Sequence, residues 1–190
     1  MSSISKDTIR KEALERRAKL KELADELSLR VSRNFAASVP IPPGAAVSSY
    51  FAIGDEADPA GLESELRRRG HQILLPRVTG RNLPLDFHIW EEGAPLHRGG
   101  FGLSEPSPDW PKLVPDVLIV PLLAFDMDGY RVGYGAGYYD RTIRKLRENK
   151  KIIAAGFGFS LQEFPTVPHL AHDERLDWVV TDTRAQQIRN

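Results

Sequence analysis

Apolar residues recur at helical spacing near the start of the chain. Ile9, Ala13, Leu20, Leu23, Leu27, Val31 and Phe35 share one stripe, and acids and bases alternate on the opposite face. The spacing predicts one long helix over residues 6–37, with Ser5 as its N-cap. Prolines 40, 42 and 43 then force a connector. Residues 45–53 read as a buried strand. A loop through Asp55, Glu56 and Asp58 follows, and Pro59 suits the first turn of a helix that runs to Arg69 and stops at Gly70. Residues 71–75 form a second strand ended by Pro76. Residues 85–90 alternate and read as a strand with one wet face. Residues 93–115 are rich in Gly and Pro and form a surface excursion. Residues 117–120 are a central strand, 140–148 a helix, and 152–157 and 178–181 further strands. This order of helix, β-α-β, extra strands and β-α-β predicts a single α/β domain over residues 1–190, with a central, mostly parallel sheet between helices.

Composition narrows the classes. At 190 residues the chain suits one domain, and it can bury a sizeable core. The formal net charge is zero, so no general field favours nucleic acid or an anionic membrane. There are no cysteines, which excludes disulfides, thiol chemistry and cysteine-ligated zinc and fits a reducing compartment. The apolar run 117–125 is interrupted by Pro121 and is too short to span a bilayer. The N-terminus is charged from Lys6 onward and lacks an apolar signal core. A cytoplasmic monomer is expected.

The densest chemistry lies between Val120 and Arg141. An apolar strand ends at Pro121, and a loop leads to glycines at alternate positions, Gly133, Gly135 and Gly137. Tyr138, Tyr139, Asp140 and Arg141 follow as a helical pattern begins. Glycines let a backbone approach a ligand closely, and a helix start directs unpaired N–H groups at an anion. The spacing matches neither a dinucleotide fingerprint nor a Walker loop. A glycine triplet alone is equally a tight strand-to-helix turn. Arg131, Asp140 and Arg141, with Tyr134, Tyr138 and Tyr139 between, favour a phosphate cradle with a metal-holding carboxylate.

Pro121, Phe125-Asp126, Gly129, Arg131 and the run Gly133-Tyr-Gly-Ala-Gly-Tyr-Tyr-Asp140 together resemble the signature of the 5-formyltetrahydrofolate cyclo-ligase family. Lys6 and Arg10 on the first helix, Phe51 through Glu56, Leu75-Pro76-Arg77, the segment Gly100 to Pro106, Pro168 and His172-Asp173 agree in order. The resemblance thus spans nearly the whole chain. It implies the fold shared with sugar-phosphate isomerases and CoA transferases. It also implies conversion of 5-formyltetrahydrofolate to 5,10-methenyltetrahydrofolate, with MgATP going to ADP and phosphate. In the family mechanism the formyl oxygen attacks the γ-phosphate, and the neighbouring folate nitrogen then closes on the activated carbon as phosphate leaves. A non-catalytic folate- or nucleotide-binding protein on the same scaffold is the alternative, and an isomerase of phosphorylated sugars is a second.

Carried over by position, the resemblance makes Arg10 and Arg131 catalytic. Lys6, Arg10, Arg131, Gly133, Tyr134, Gly135, Ala136, Gly137, Tyr138 and Tyr139 would hold ATP. Phe51, Glu56, Phe101, Tyr134 and Tyr138 would line the folate site. Asp140 and Asp173 would hold magnesium. Other readings stand beside these. On spacing alone, Lys6 and Arg10 are two charges on a wet helix. Glu56 could cap the helix after it, and Phe101 could be core. His169 and His172 beside Asp173 suggest zinc, but no third ligand is evident. Ala136 stands where many relatives have Gly or a basic residue, which fits only a negative φ there. Leu122-Leu123 replaces a smaller residue after Pro121 and alters packing.

Overall fold

The computed structural model describes residues 5–99 and 104–188. A seven-stranded sheet forms its centre. In chain order the strands are β1 (Ala46–Ser48), β2 (Gln72–Arg77), β3 (Asp86–Ile89), β4 (Val117–Pro121), β5 (Ile153–Phe157), β6 (Trp178–Val180) and β7 (Ala185–Gln187). Across the sheet they run β7-β6-β5-β4-β1-β2-β3. The five inner strands are parallel, and β3 and β7 are antiparallel edges. Helices α1 (Lys6–Ala18), α2 (Ala24–Ser38), α3 (Ala60–Arg68) and α4 (Tyr138–Asn149) complete the frame.

Strand periodicity sorts the helices onto two faces. Val117 and Ile119 point to the side where Val31 and Phe35 of α2 and Leu62 and Leu66 of α3 pack. Leu118 and Val120 point to the other side, against Ile143 of α4. The crossovers β1-α3-β2 and β4-α4-β5 leave β1 and β4 as neighbours whose chains depart in opposite directions across the sheet. At such a switch point the carboxyl ends of the strands open into a crevice.

The predicted long helix is two helices. The chain turns at Lys19–Leu20 and passes a single 3₁₀ turn, Lys21–Leu23, before α2. No glycine or proline marks the break. The stripe divides because its halves serve different cores: Ile9 and Ala13 pack on Leu123, Val132, Phe164 and Val167, whereas Val31 and Phe35 enter the main core.

The predicted strand 45–53 shrinks to Ala46–Ser48. Beyond it Tyr50 turns inward and donates to Ala57 O at 2.6 Å, while Phe51 and Ile53 stay exposed. β2 continues through Pro76, which needs no amide toward β1 because that strand ends opposite Leu74. β3 has no wet face. The 106–113 segment covers it, with the Ile89 amide bonded to Pro111 O and buried His88 bonded to Trp110 O. α4 starts two residues earlier than its pattern suggested, at Tyr138.

Candidate active site

A cleft of about 1130 Å³ opens at the carboxyl ends of β1 and β4. One wall is the glycine loop with the first turns of α1 and α4. Arg10 Nε donates to Gly133 O at 2.9 Å, which ties α1 to the loop. Gly135 has φ +100°, and a Cβ there would lie 3.2 Å from the Arg10 guanidinium. Gly137 precedes α4 with φ +67°, and a Cβ there would meet Arg141 at 2.9 Å. Both glycines therefore use backbone freedom that other residues lack. Ala136 is outside the positive-φ positions, as its side chain requires, and its carbonyl accepts from Arg141 Nη2 at 2.6 Å. The first amides of α4 carry no side-chain cap. That end of the helix remains available to an anion.

Charged groups on this wall are already paired. Arg131 is buried, donates to Glu174 O at 2.7 Å and contacts Asp140 Oδ1 at 2.9 Å. Burial pulls the Arg131 pKa down against Asp140, yet an arginine starts so high that it remains a cation. Lys6 Nζ lies 2.5 Å from Asp173 Oδ2, which also accepts the Leu170 amide. Partial burial acts upward on Asp173, but Lys6 and the amide outweigh it and hold the carboxyl below its ordinary range. Arg10 is further paired with Asp7.

The opposite wall is the loop after β1. Phe51 is 42% exposed and meets Trp90 edge-on at 5.6 Å. Glu56 is 6% exposed, and its Oε2 accepts the Ile53 amide at 2.9 Å. That bond closes the loop from within; Glu56 does not cap α3, where Asp58 accepts the Ala60 amide instead. Burial pushes the Glu56 carboxyl up, against the Ile53 amide, the Tyr134 hydroxyl and the Arg17 cation. Burial also raises the Tyr139 and Tyr134 hydroxyls, with Glu56 adding to both. Tyr138 lies under Arg141, whose guanidinium is 5.3 Å from the ring centre. Phe101 lies outside the described residues. Every other residue to which the resemblance gives an ATP, folate or magnesium role lines this one cleft; His169 of the zinc alternative does not.

The chain matches the 5-formyltetrahydrofolate cyclo-ligase family over residues 2–182. The chain belongs to that family. It is similar to the 5-formyltetrahydrofolate cyclo-ligase of Mycolicibacterium smegmatis, at 33% identity over 97% of each chain. The Escherichia coli enzyme of the same name is 29% identical over 89% of this chain and 95% of its own. Among solved structures, the 5,10-methenyltetrahydrofolate synthetase of Aquifex aeolicus superposes with a TM-score of 0.81 at 30% identity, covering 98% of this chain and 94% of that one. A synthetase from Mycoplasma pneumoniae, at 20% identity and a TM-score of 0.75, covers 94% and 99% and shares the fold.

Within the cyclo-ligase cleft, Asp140 and Asp173 differ from a preformed metal cage. Among the described residues no three His, Asp or Glu side chains gather closely enough to hold a metal ion. Each aspartate instead uses one named oxygen on an arginine or lysine. Such a pair fits a magnesium ion that arrives with phosphates, since Mg²⁺ takes one or two carboxylates and completes its shell with phosphate and water. The zinc alternative finds no support: His169 stacks flat on Tyr130 at 3.5 Å, and His172 points outward beside Asp173.

Sequence reasoning missed Arg17. It is 5% exposed, and its Nη2 donates to Tyr134 Oη at 3.0 Å. Its Nη1 lies 3.8 Å from Glu56 Oε1. The signal was present: Arg17 follows Ile9 and Ala13 at intervals of four, placing a charge on the apolar stripe. Glu105 was quoted only within a segment. It is buried, receives the Val78 amide at 3.3 Å and faces Arg77 at 3.5 Å on the rim of the cleft.

Proposed function

We propose that the protein is an enzyme that closes 5-formyltetrahydrofolate to 5,10-methenyltetrahydrofolate and splits ATP to ADP and phosphate. One observation carries this reading. A single cleft joins a wall of cations and glycine backbone to a wall of exposed aromatic and aliphatic side chains around a buried carboxylate. Its volume of about 1130 Å³ exceeds that of an ordinary small-molecule pocket, as two ligands side by side require.

The chemistry follows from the two walls. Phosphoryl transfer asks mainly for positioning and for positive charge on the phosphate oxygens. Lys6, Arg10, Arg131 and the amides of 133–137 would supply both. The formyl oxygen is a weak nucleophile, so much of the rate lies in holding it in line with the γ-phosphorus. Glu56 would accept hydrogen bonds from the amino-pyrimidinone edge of the folate, and Phe51 and Tyr138 would flank its ring. The formyl oxygen takes the γ-phosphoryl group as the P–O bond to ADP breaks; the neighbouring nitrogen then bonds to the formyl carbon and gives up its proton, the C–O bond breaks, and phosphate departs with that oxygen. Magnesium, held by Asp140 and Asp173 together with the nucleotide, would neutralise phosphate charge.

The test is absorbance. The methenyl product absorbs at longer wavelength than the formyl substrate. Its signal is expected when 5-formyltetrahydrofolate, ATP and magnesium are all present, and is expected to vanish with a chelator. Binding of both ligands without product would favour the non-catalytic alternative, and product formation undiminished by chelation would remove magnesium from the reaction.

A further inference from the structure

Arg17 and Glu56 form a buried pair with unused bonding capacity. Glu56 Oε1 and Arg17 Nη1 are both sealed from solvent, and neither has a hydrogen-bond partner. They stand 3.8 Å apart. A charge-assisted hydrogen bond would close to about 2.7–2.9 Å. At the observed separation the guanidinium gives Glu56 a countercharge without consuming its Oε1 lone pairs. Those lone pairs carry no hydrogen bond, and a ligand donor would reach them on a shift of the groups that crowd the carboxylate, Tyr134 among them. The same guanidinium donates its other nitrogen to Tyr134, which is 53% exposed on the glycine loop. Arg17 therefore touches the groups that define both walls of the cleft.

We propose that Arg17 is a positioning residue for the folate: it orients the Glu56 carboxylate, keeps it charged and, through Tyr134, links it to the nucleotide loop. The proposal rests on the functional reading above. Four groups face Glu56: Arg17 from α1, Tyr134 from the glycine loop, Tyr139 from α4 and Tyr50 from its own loop. Arg17 alone among them is a cation. Removing it would let the buried carboxylate take up a proton and lose an acceptor site. A ligand that reorders the loop would also shift Tyr134, and with it the hold on Glu56. By linkage, a nucleotide that strengthens folate binding is strengthened by folate to the same degree.

The experiment is calorimetric titration of Arg17→Met and Arg17→Lys with 5-formyltetrahydrofolate, with and without a non-hydrolysable ATP analogue. Arg17→Met is expected to lose about tenfold or more in folate affinity while its affinity for the analogue alone stays close to that of the unmodified protein. The loss should deepen as pH falls from about 8 to about 6, because Glu56 has lost its countercharge. Arg17→Lys should restore the flat pH profile but not the effect of the analogue on folate affinity, since a lysine cannot hold Tyr134 and Glu56 together. Unchanged folate affinity in Arg17→Met at every pH would overturn the proposal. So would equal losses for both ligands with a lowered melting temperature, the mark of a merely structural residue. Should Arg17→Met alone not fold, the comparison passes to Glu56→Gln with and without Arg17→Met. Equal folate affinity is expected, and a further loss in the double variant would overturn the proposal. Failure of the unmodified protein to bind the folate would overturn the functional reading as well.

Discussion

The two walls of the cleft are built on opposite principles. On the glycine-loop wall every charged group named above already has a partner: Lys6 on Asp173, Arg10 on Gly133, Arg131 on Asp140, Arg141 on Ala136. On the β1 wall, large apolar groups face solvent and the carboxylate at its centre has spare capacity. On the proposed function, a phosphate docking on the first wall would exchange these ion pairs and carbonyl hydrogen bonds for its own. The net gain is a difference, and its advantage is side chains ordered in advance. A ring docking on the second wall adds burial, at about 25 cal/mol per Å² of apolar surface. On that reading the first wall would supply geometry and the second affinity.

The contrast can be broken by substitution. The largest effect is expected from Gly137→Val on the geometric wall. A β-branched side chain at φ +67° adds about 1–3 kcal/mol of strain, and its Cβ meets Arg141 at 2.9 Å. ATP affinity should vanish while the fold, read by circular dichroism, largely survives. A folded variant with normal ATP binding would remove the loop from the nucleotide site. Next comes Glu56→Gln on the other wall. The amide turns one acceptor into a donor, and losing a charged hydrogen bond costs about 1.5–3 kcal/mol, roughly 10- to 100-fold in folate affinity. ATP affinity measured in the absence of folate should not follow; equal loss of both would mean that the walls are not separable.

Much of this was legible in the sequence, and the failures share a cause. Glycines, prolines and strand periodicity gave the α/β order and the position of the cleft, because these are local signals. The break between α1 and α2 was invisible because it follows from two separate cores at a distance in sequence. Phe51 and Ile53 were absorbed into a strand because an exposed apolar pair looks identical in sequence to a buried one. β3 seemed half wet because the segment that covers it is irregular. Arg17 was overlooked for a similar reason: a basic residue on a charged helix reads as solvated until the fold shows it buried against Glu56.

Two middle-sized effects sharpen the contrast. Arg10→Ala should raise the KM for ATP and lower kcat by about tenfold in kcat/KM, through lost positioning of the loop. Its melting temperature should fall only slightly, because the side chain is partly exposed and its removal costs one hydrogen bond to Gly133 O, about 0.5–1.5 kcal/mol. Phe51→Ala should weaken folate by only about three- to tenfold, in proportion to the apolar surface the ring can cover. Steady-state kinetics with each substrate varied in turn checks both. Normal kinetics in Arg10→Ala would return it to the solvated face.

The smallest effect tests whether the geometric wall is paired before any ligand arrives. Asp173 is held below the ordinary carboxylate range, chiefly by Lys6 against the opposing pull of partial burial. A carboxyl whose pKa is depressed by folding stabilises the protein above its unfolded value, about 3.9, and loses that contribution as pH falls through its folded value. Asp173→Asn can still accept the Leu170 amide, so the difference from the unmodified protein reports the Lys6 pair. The pair is partly screened by water, so less than about 1 kcal/mol is expected near neutral pH. For a chain of this size that shifts the melting temperature by no more than about 2–4 °C. Calorimetry from about pH 7 down to about pH 2 should show the gap begin to close below about 3.9 and keep closing as pH falls through the depressed folded value, where both proteins carry a neutral group at 173. A gap that stays constant with pH would mean that the pair does not form in the free protein. Lys6 would then be as unengaged as Glu56 Oε1, and the two walls would await their ligands in the same way.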